Sequence, residues 1–126
     1  MALIPTLTIQ DATSFSDEIN FSVTDSLATT SPAQSLSTII AATAGENSII
    51  VPAAATGTYI FVRHTGTTNG TTAATAVVLV ENTDNSQFAN LKAGEWLFMP
   101  HLSASLGVQV QAASAVQIEY AYWTIT

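Results

Sequence analysis

Apolar and polar residues alternate through most of this chain in short runs, and clusters of Gly, Pro, Ser, Thr, Asn and Asp separate the runs. Strict alternation is the two-residue period of a half-buried strand. Leu7 and Ile9 alternate with Thr6, Thr8 and Gln10, and Ile19, Phe21 and Val23 alternate through Glu18–Thr24. Leu106, Val108 and Val110 do the same, and Val116, Ile118, Tyr120 and Tyr122 share one face opposite Gln117, Glu119, Ala121 and Trp123. Thr58–His64 is apolar on both faces, as expected of a strand central to a sandwich or covered by a second chain. Gln34–Ala44 offers helical spacing at Leu36, Ile39 and Ile40, but Ser37, Thr38 and Thr43 favour a strand.

The punctuation predicts the connections. Asn69-Gly70, inside TGTTNGTT, is a strong hairpin signal and joins Thr58–His64 to a returning strand at Ala76–Glu81. Gln87–Leu91 and Glu95–Met99 read as a second hairpin, with Gly94 supplying a positive φ at its turn and Pro100 ending the second strand. Gly45-Glu46-Asn47 and Asn82–Ser86 are further turns, and Asp25–Pro32 reads as a connecting loop. Pro5 marks the first segment as an edge or an arm rather than a central strand. Eight or more short strands between such turns predict an all-β fold: a single β-sandwich, jelly-roll-like, or a barrel. The organisation expected is an N-terminal arm or edge strand over residues 1–16 and a β-sandwich domain over residues 17–126.

Length and charge narrow the functional classes. The chain of 126 residues is long enough for one core without staples. It has no cysteine, which removes disulfides and thiolate metal sites. Its two basic residues, Arg63 and Lys92, stand against nine acidic ones for a net charge of −7. Such a chain repels phosphate backbones and anionic bilayers, so neither nucleic acid nor membrane is an expected partner. The first residues carry no basic n-region and no long apolar stretch, so no secretory signal and no membrane span are expected. Only 9% of residues are charged, well below the roughly 25% usual for a soluble domain. That deficit points to a hydroxyl-rich surface combined with surface covered by partners.

Candidate chemistry is sparse. His64 and His101 lack the spacing of a metal pair and read as satisfied strand-end or interface histidines. Glu81, Asn82, Asp84 and Asn85 match no calcium loop, and the Asx residues have turn-forming work of their own. Asp11, Asp17, Glu18 and Asp25 show no catalytic pairing and read as solvated or inter-subunit charges. No serine sits in a nucleophile elbow. The expectation is therefore a protein that is not an enzyme, with no cofactor and no metal. Tyr120, Phe98 and Phe61 are expected in the core. Trp96, Tyr122 and Trp123 are candidates for a partner surface, because aromatics bring large apolar area to interfaces. Leu3, Ile4, Leu7 and Ile9 join them as the apolar side chains of an arm that adds a strand to a neighbour's sheet edge.

Three stretches carry a family resemblance: YIFVRHTGTTNG, AVVLVENTDNSQFANLKAGEWLFMPH and LGVQVQAASAVQIEYAYW. Phe88, Leu91, Ala93, Gly94, Glu95 and Pro100, followed by Ile118–Trp123, resemble the strand pattern of the small β-sandwich structural proteins of tailed bacteriophages. The resemblance covers residues 58–126. It implies a capsid cement or decoration protein on the outer capsid surface of the virion, a homo-oligomer (a trimer) held to the major capsid protein. The alternative it leaves open is a tail or head-fibre module that binds host-surface carbohydrate or receptor, with Trp96, Trp123 or Tyr122 stacking on sugar rings.

Overall fold

The computed structural model describes residues 2–10, 20–41 and 48–126. These form strands β1 (Ala2–Leu3), β2 (Thr6–Gln10), β3 (Asn20–Thr24), β4 (Leu27–Ala41), β5 (Ser48–Val51), β6 (Ala54–His64), β7 (Val78–Asn82), β8 (Gln87–Leu91), β9 (Trp96–Ser103), β10 (Val108–Ala112) and β11 (Val116–Ile125). Among the described residues there is no helix. The turn at Gly45–Asn47, the carboxylates Asp11, Asp17 and Glu18, and the boundary expected at residues 16/17 lie outside the described residues.

The pairing has a simple rule. β4 pairs with β11, β5 with β10, β6 with β9 and β7 with β8, all antiparallel. The chain from Leu27 to Ile125 is therefore one long hairpin with its tip between Asn82 and Gln87. Rolled up, the doubled strands also join β11 to β6 and β10 to β7. The result is a five-stranded sheet, β1-β4-β11-β6-β9, and a four-stranded sheet, β5-β10-β7-β8. That winding is the jelly-roll form of the β-sandwich, and it meets the expected fold class.

The strand alternation dictates what lies between the sheets. Ile60, Val62, Val78, Val80, Val108, Val110, Val116 and Ile118 point inward and are fully buried. Leu97, Met99, Tyr120 and Tyr122 pack against them from the five-stranded sheet. Each fully buried aliphatic side chain contributes about 1.5–3 kcal/mol before ordering costs. β-branched residues dominate this core because their stiff side chains suit a pleated surface.

Several expected connections are corrected. Gln87–Leu91 and the strand after it are not a hairpin, because β8 pairs with β7 while β9 pairs with β6 in the other sheet. Gly94 does take the positive φ expected, at +84°, but its turn carries the chain from one sheet to the other. The Asn69-Gly70 turn likewise lies between β6 and β7, which belong to different sheets. Asp25–Pro32 is not a loop throughout, since β4 begins at Leu27 and Ser31-Pro32 forms a bulge in its register with β11. Pro100 does not end β9, which runs on to Ser103. It is tolerated because β9 is an edge strand with no ladder to supply on its outer side. Phe21 and Val23 do not face the sandwich core: β3 pairs only with β2, in a separate two-stranded ribbon.

Candidate interaction surface

Among the described residues, two neighbouring apolar surfaces outside the core follow directly from alternation. On β6 the inward set Ile60, Val62 and His64 leaves Tyr59, Phe61 and Arg63 on the outer face. Register then places Trp96 beside Arg63, Phe98 beside Phe61 and Pro100 beside Tyr59. On the other flank Trp123 lies beside Tyr59 and Glu119 beside Arg63. The outer face of the five-stranded sheet is thus an aromatic platform. The Tyr59 and Phe98 rings stack at 6.3 Å, and Phe61 and Trp96 meet at 6.4 Å with a 34° tilt. Trp96 is 52% exposed. Arg63 is the cation of this face, and its Nη1 donates to Glu119 Oε2 at 3.3 Å.

The second surface is the ribbon. Its register opposes Leu7 to Val23 and Ile9 to Phe21 on one side, and Thr6 to Thr24 and Thr8 to Ser22 on the other. The polar side is knitted by hydroxyls, Thr6 Oγ1 to Thr24 Oγ1 at 2.8 Å and Thr8 Oγ1 to Ser22 Oγ at 3.2 Å. The apolar side stays open, with Phe21 46% and Val23 55% exposed. At its base, β1 lies on the edge of β4, and the Asp25 N–H donates to the Pro5 carbonyl. The ribbon stands over the platform and leaves an open cleft of about 420 Å³ lined by Pro5, Thr6, Phe61, Arg63, Trp96 and Phe98. Leu7, Val23 and Asp25 line its continuation beside Phe98.

The expected surface residues divide accordingly. Leu7 and Ile9 lie on the open ribbon face, and Ile4 is exposed beside it. Leu3 is half-buried in β1 opposite Leu27. Trp96 and Trp123 share the aromatic platform. Tyr122 does not: it pairs with Ile60 and packs on the core. Phe61 and Phe98, expected in the core, belong to the platform instead. Tyr59 also lies on the platform, and Phe21 and Val23 on the ribbon. For Tyr59 and Phe61 the signal lay in Thr58–His64, which is apolar on both faces and so has to put one apolar set outside.

The remaining polar candidates are occupied structurally. His64 is fully buried, its Nε2–H donating to the Ala76 carbonyl at 2.9 Å and its Nδ1 accepting from the Gly66 N–H at 2.9 Å. It is a core histidine rather than an edge one. Asp84 accepts from the Ser86 hydroxyl and N–H, and these bonds hold its carboxyl below the ordinary carboxylate range. Gln109 Nε2 donates to buried Glu81 at 2.8 Å and to Asn85 at 2.9 Å. Among the described residues no three His, Asp or Glu side chains gather as a metal site.

His101 bridges the sheets, its Nε2 2.6 Å from Asn82 Oδ1 and its ring 5.9 Å from that of Phe88. Burial holds its pKa below the usual imidazole value. The unfolded chain therefore takes up a proton near pH 6.5, where the folded chain still resists it, and stability falls as pH drops below that value. The melting temperature is expected to decrease from pH 7.5 to 5.5, with a shallower decrease in H101Q. Equal slopes in the two proteins would exclude His101 as the source.

Comparison with known proteins adds no relative. No protein-family model, curated protein or solved structure matches this chain.

Proposed function

We propose that this chain is a non-enzymatic virion structural protein, a capsid cement or decoration protein that stabilises an outer shell through contacts between its own copies and with the major capsid protein. The observation that carries the reading is the pair of uncovered apolar surfaces, ribbon and aromatic platform, on a jelly-roll body. Contiguous apolar surface rimmed by polar residues marks protein contact. The resemblance in residues 58–126 supplies the virion setting, the homotrimer and the outer-surface location, and the net charge of −7 suits an exterior better than a DNA-facing lining.

The alternative, a carbohydrate- or receptor-binding fibre module, draws on exposed Trp96. A sugar site needs hydrogen-bonding groups around its stacking ring. Trp96 is flanked instead by Phe61 and Phe98, and Arg63 is already engaged by Glu119. The surroundings favour a protein partner.

The test is composition of the particle. Gradient-purified virions from the source are expected to contain this chain in stoichiometric amounts with the major capsid protein, and to become heat-labile when assembled without it. Absence from the particle would refute the proposal. Glycan binding abolished by W96A, on a protein carried by the tail, would install the alternative.

A further inference from the structure

We propose that Asn69 is a site of spontaneous covalent modification: its carboxamide is lost to attack by the Gly70 backbone nitrogen, and the loop between β6 and β7 holds that reaction back for as long as it stays closed.

The chemistry is intramolecular. Asn69-Gly70 is the only Asn-Gly pair in the sequence; Asn20, Asn47, Asn82, Asn85 and Asn90 precede Phe, Ser, Thr, Ser and Leu. Glycine presents its nitrogen with no side chain beside it and leaves the backbone free to bring that nitrogen to a neighbouring carbon. Hydroxide takes the Gly70 N–H proton, and the nitrogen forms a bond to Asn69 Cγ. The carboxamide C–N bond then breaks, and its nitrogen takes a proton from water and leaves as ammonia. Water opens the cyclic imide at either carbonyl, leaving aspartate or isoaspartate at position 69. Both residues of the pair are exposed, so hydroxide and water reach them.

Both reacting groups are restrained in the folded loop. The Gly70 N–H, whose proton has to leave, donates to Thr67 Oγ1 at 3.0 Å. Asn69 Oδ1 accepts from the Thr71 N–H at 3.2 Å, the Thr71 hydroxyl at 3.0 Å and the Thr72 N–H at 2.9 Å. Around them the Thr68 N–H donates to the Thr72 carbonyl at 2.7 Å, and Thr67 bridges to Ala73. Ring closure needs the nitrogen and the carbon about 3–3.5 Å apart with orbitals aligned. Three donors on Oδ1 also point where negative charge develops, which in an attack-ready geometry would speed the step. Restraint outweighs that help. A hydrogen bond to the neutral N–H opposes its ionisation, and the same three donors fix the side chain over residues 71 and 72. The closed loop is the slow form and local opening is the reactive one.

The product does not close as the parent does. The isoaspartate route adds a methylene to the main chain inside the stretch spanned by the Thr68–Thr72 bond and displaces the Oδ1 cap. It also adds a carboxylate to a chain already at −7. The modified fraction thus records how long the loop has spent open.

Arg63 and Lys92 are the only arginine and lysine, so trypsin releases residues 64–92 as one peptide carrying Asn69, Asn82, Asn85 and Asn90. The intact chain is held at mildly alkaline pH, folded or unfolded in guanidinium chloride, and this peptide is sequenced by mass spectrometry over time. Asn69 is expected to convert ahead of the other three, and about tenfold or more slowly in the folded protein than in the unfolded one. T67V, checked for wild-type melting, is expected to raise the folded rate about two- to tenfold and to leave the unfolded rate unchanged. T71V, which removes one donor to Oδ1, is expected to act in the same direction. Faster conversion at another asparagine of the unfolded chain would remove Asn69 as the site. A folded rate equal to or above the unfolded one, or slower conversion in T67V and T71V, would show that the loop promotes the reaction and overturn the restraint.

Discussion

His64→Ala is expected to cost about 3–5 kcal/mol of folding stability, read as the fall in the urea midpoint at unchanged slope. The side chain is completely buried, so truncation leaves a cavity. It also strands the Gly66 N–H and the Ala76 carbonyl, both now bonded to the imidazole. Those two bonds tie down opposite ends of the segment that leads from β6 in one sheet to β7 in the other. The rest of that segment hangs on neighbouring bonds: the Thr65 hydroxyl and the Gln117 carbonyl, the Ala74 N–H and the Gly66 carbonyl, and Asn69 Oδ1 capping Thr71 and Thr72. A domain of this size has a total stability of about 5–15 kcal/mol, so the loss removes a large share of it. A loss below about 1 kcal/mol would show that the neighbouring bonds hold the segment without the histidine.

Gly107→Ala is the second large effect expected. A methyl group at this position would lie 2.3 Å from the carbonyl oxygen of Val51 and 3.4 Å from the backbone nitrogen of Ala53. Backbone atoms cannot swing aside as a flexible side chain would. Gly107 is also pinned from the other side, its N–H donating to Thr83 Oγ1 and its carbonyl accepting from the Thr83 N–H. Relief therefore requires β5 and β10 to separate just where their register already shifts, at Val108. The cost is about 3 kcal/mol, the upper part of the usual range for overpacking, corresponding to a fall in melting temperature of roughly 10 °C. A melting temperature within two degrees of wild type would mean that β5 is free to move away. Alanine at Gly94 is a useful contrast: nothing lies within 4 Å there, and only the positive φ opposes it.

Much of the fold was legible in the sequence because alternation records burial directly. Val108 and Val110 were placed on one face by pattern alone, as were Val116, Ile118, Tyr120 and Tyr122, and both sets share the inward face; Tyr122, named as a partner-surface candidate, goes with the core set. The turns at Asn69-Gly70 and Gly94 were also legible, since each turn needs a residue that tolerates positive φ. What a turn does not record is whether the next strand comes back beside the last one or crosses to the facing sheet. Here both cross, so the expected hairpins failed although their turns are real. The interaction surface was half legible for a related reason. Alternation separates Tyr122 from Trp123 but does not say which side is solvent, and Thr58–His64 gives no asymmetry with which to place Phe61. The ribbon was hidden further, because Thr6–Gln10 and Asn20–Thr24 look like any half-buried strands. Only their mutual pairing shows that no core lies beneath them.

The rolled-up hairpin has a consequence for how the chain reaches this state. Paired residues stand six positions apart at the tip, Glu81 with Gln87, and ninety-six apart at the open end, Thr29 with Ile125. That is four doublings of loop length, and each doubling adds about 0.6 kcal/mol of closure entropy. Closing the open end directly from the unfolded chain is therefore about 2.4 kcal/mol harder than closing the tip. If pairing starts at β7 and β8, each later pair closes only the short connection left over from the one before. The nested order of the strands turns one search across nearly the whole chain into a succession of short ones.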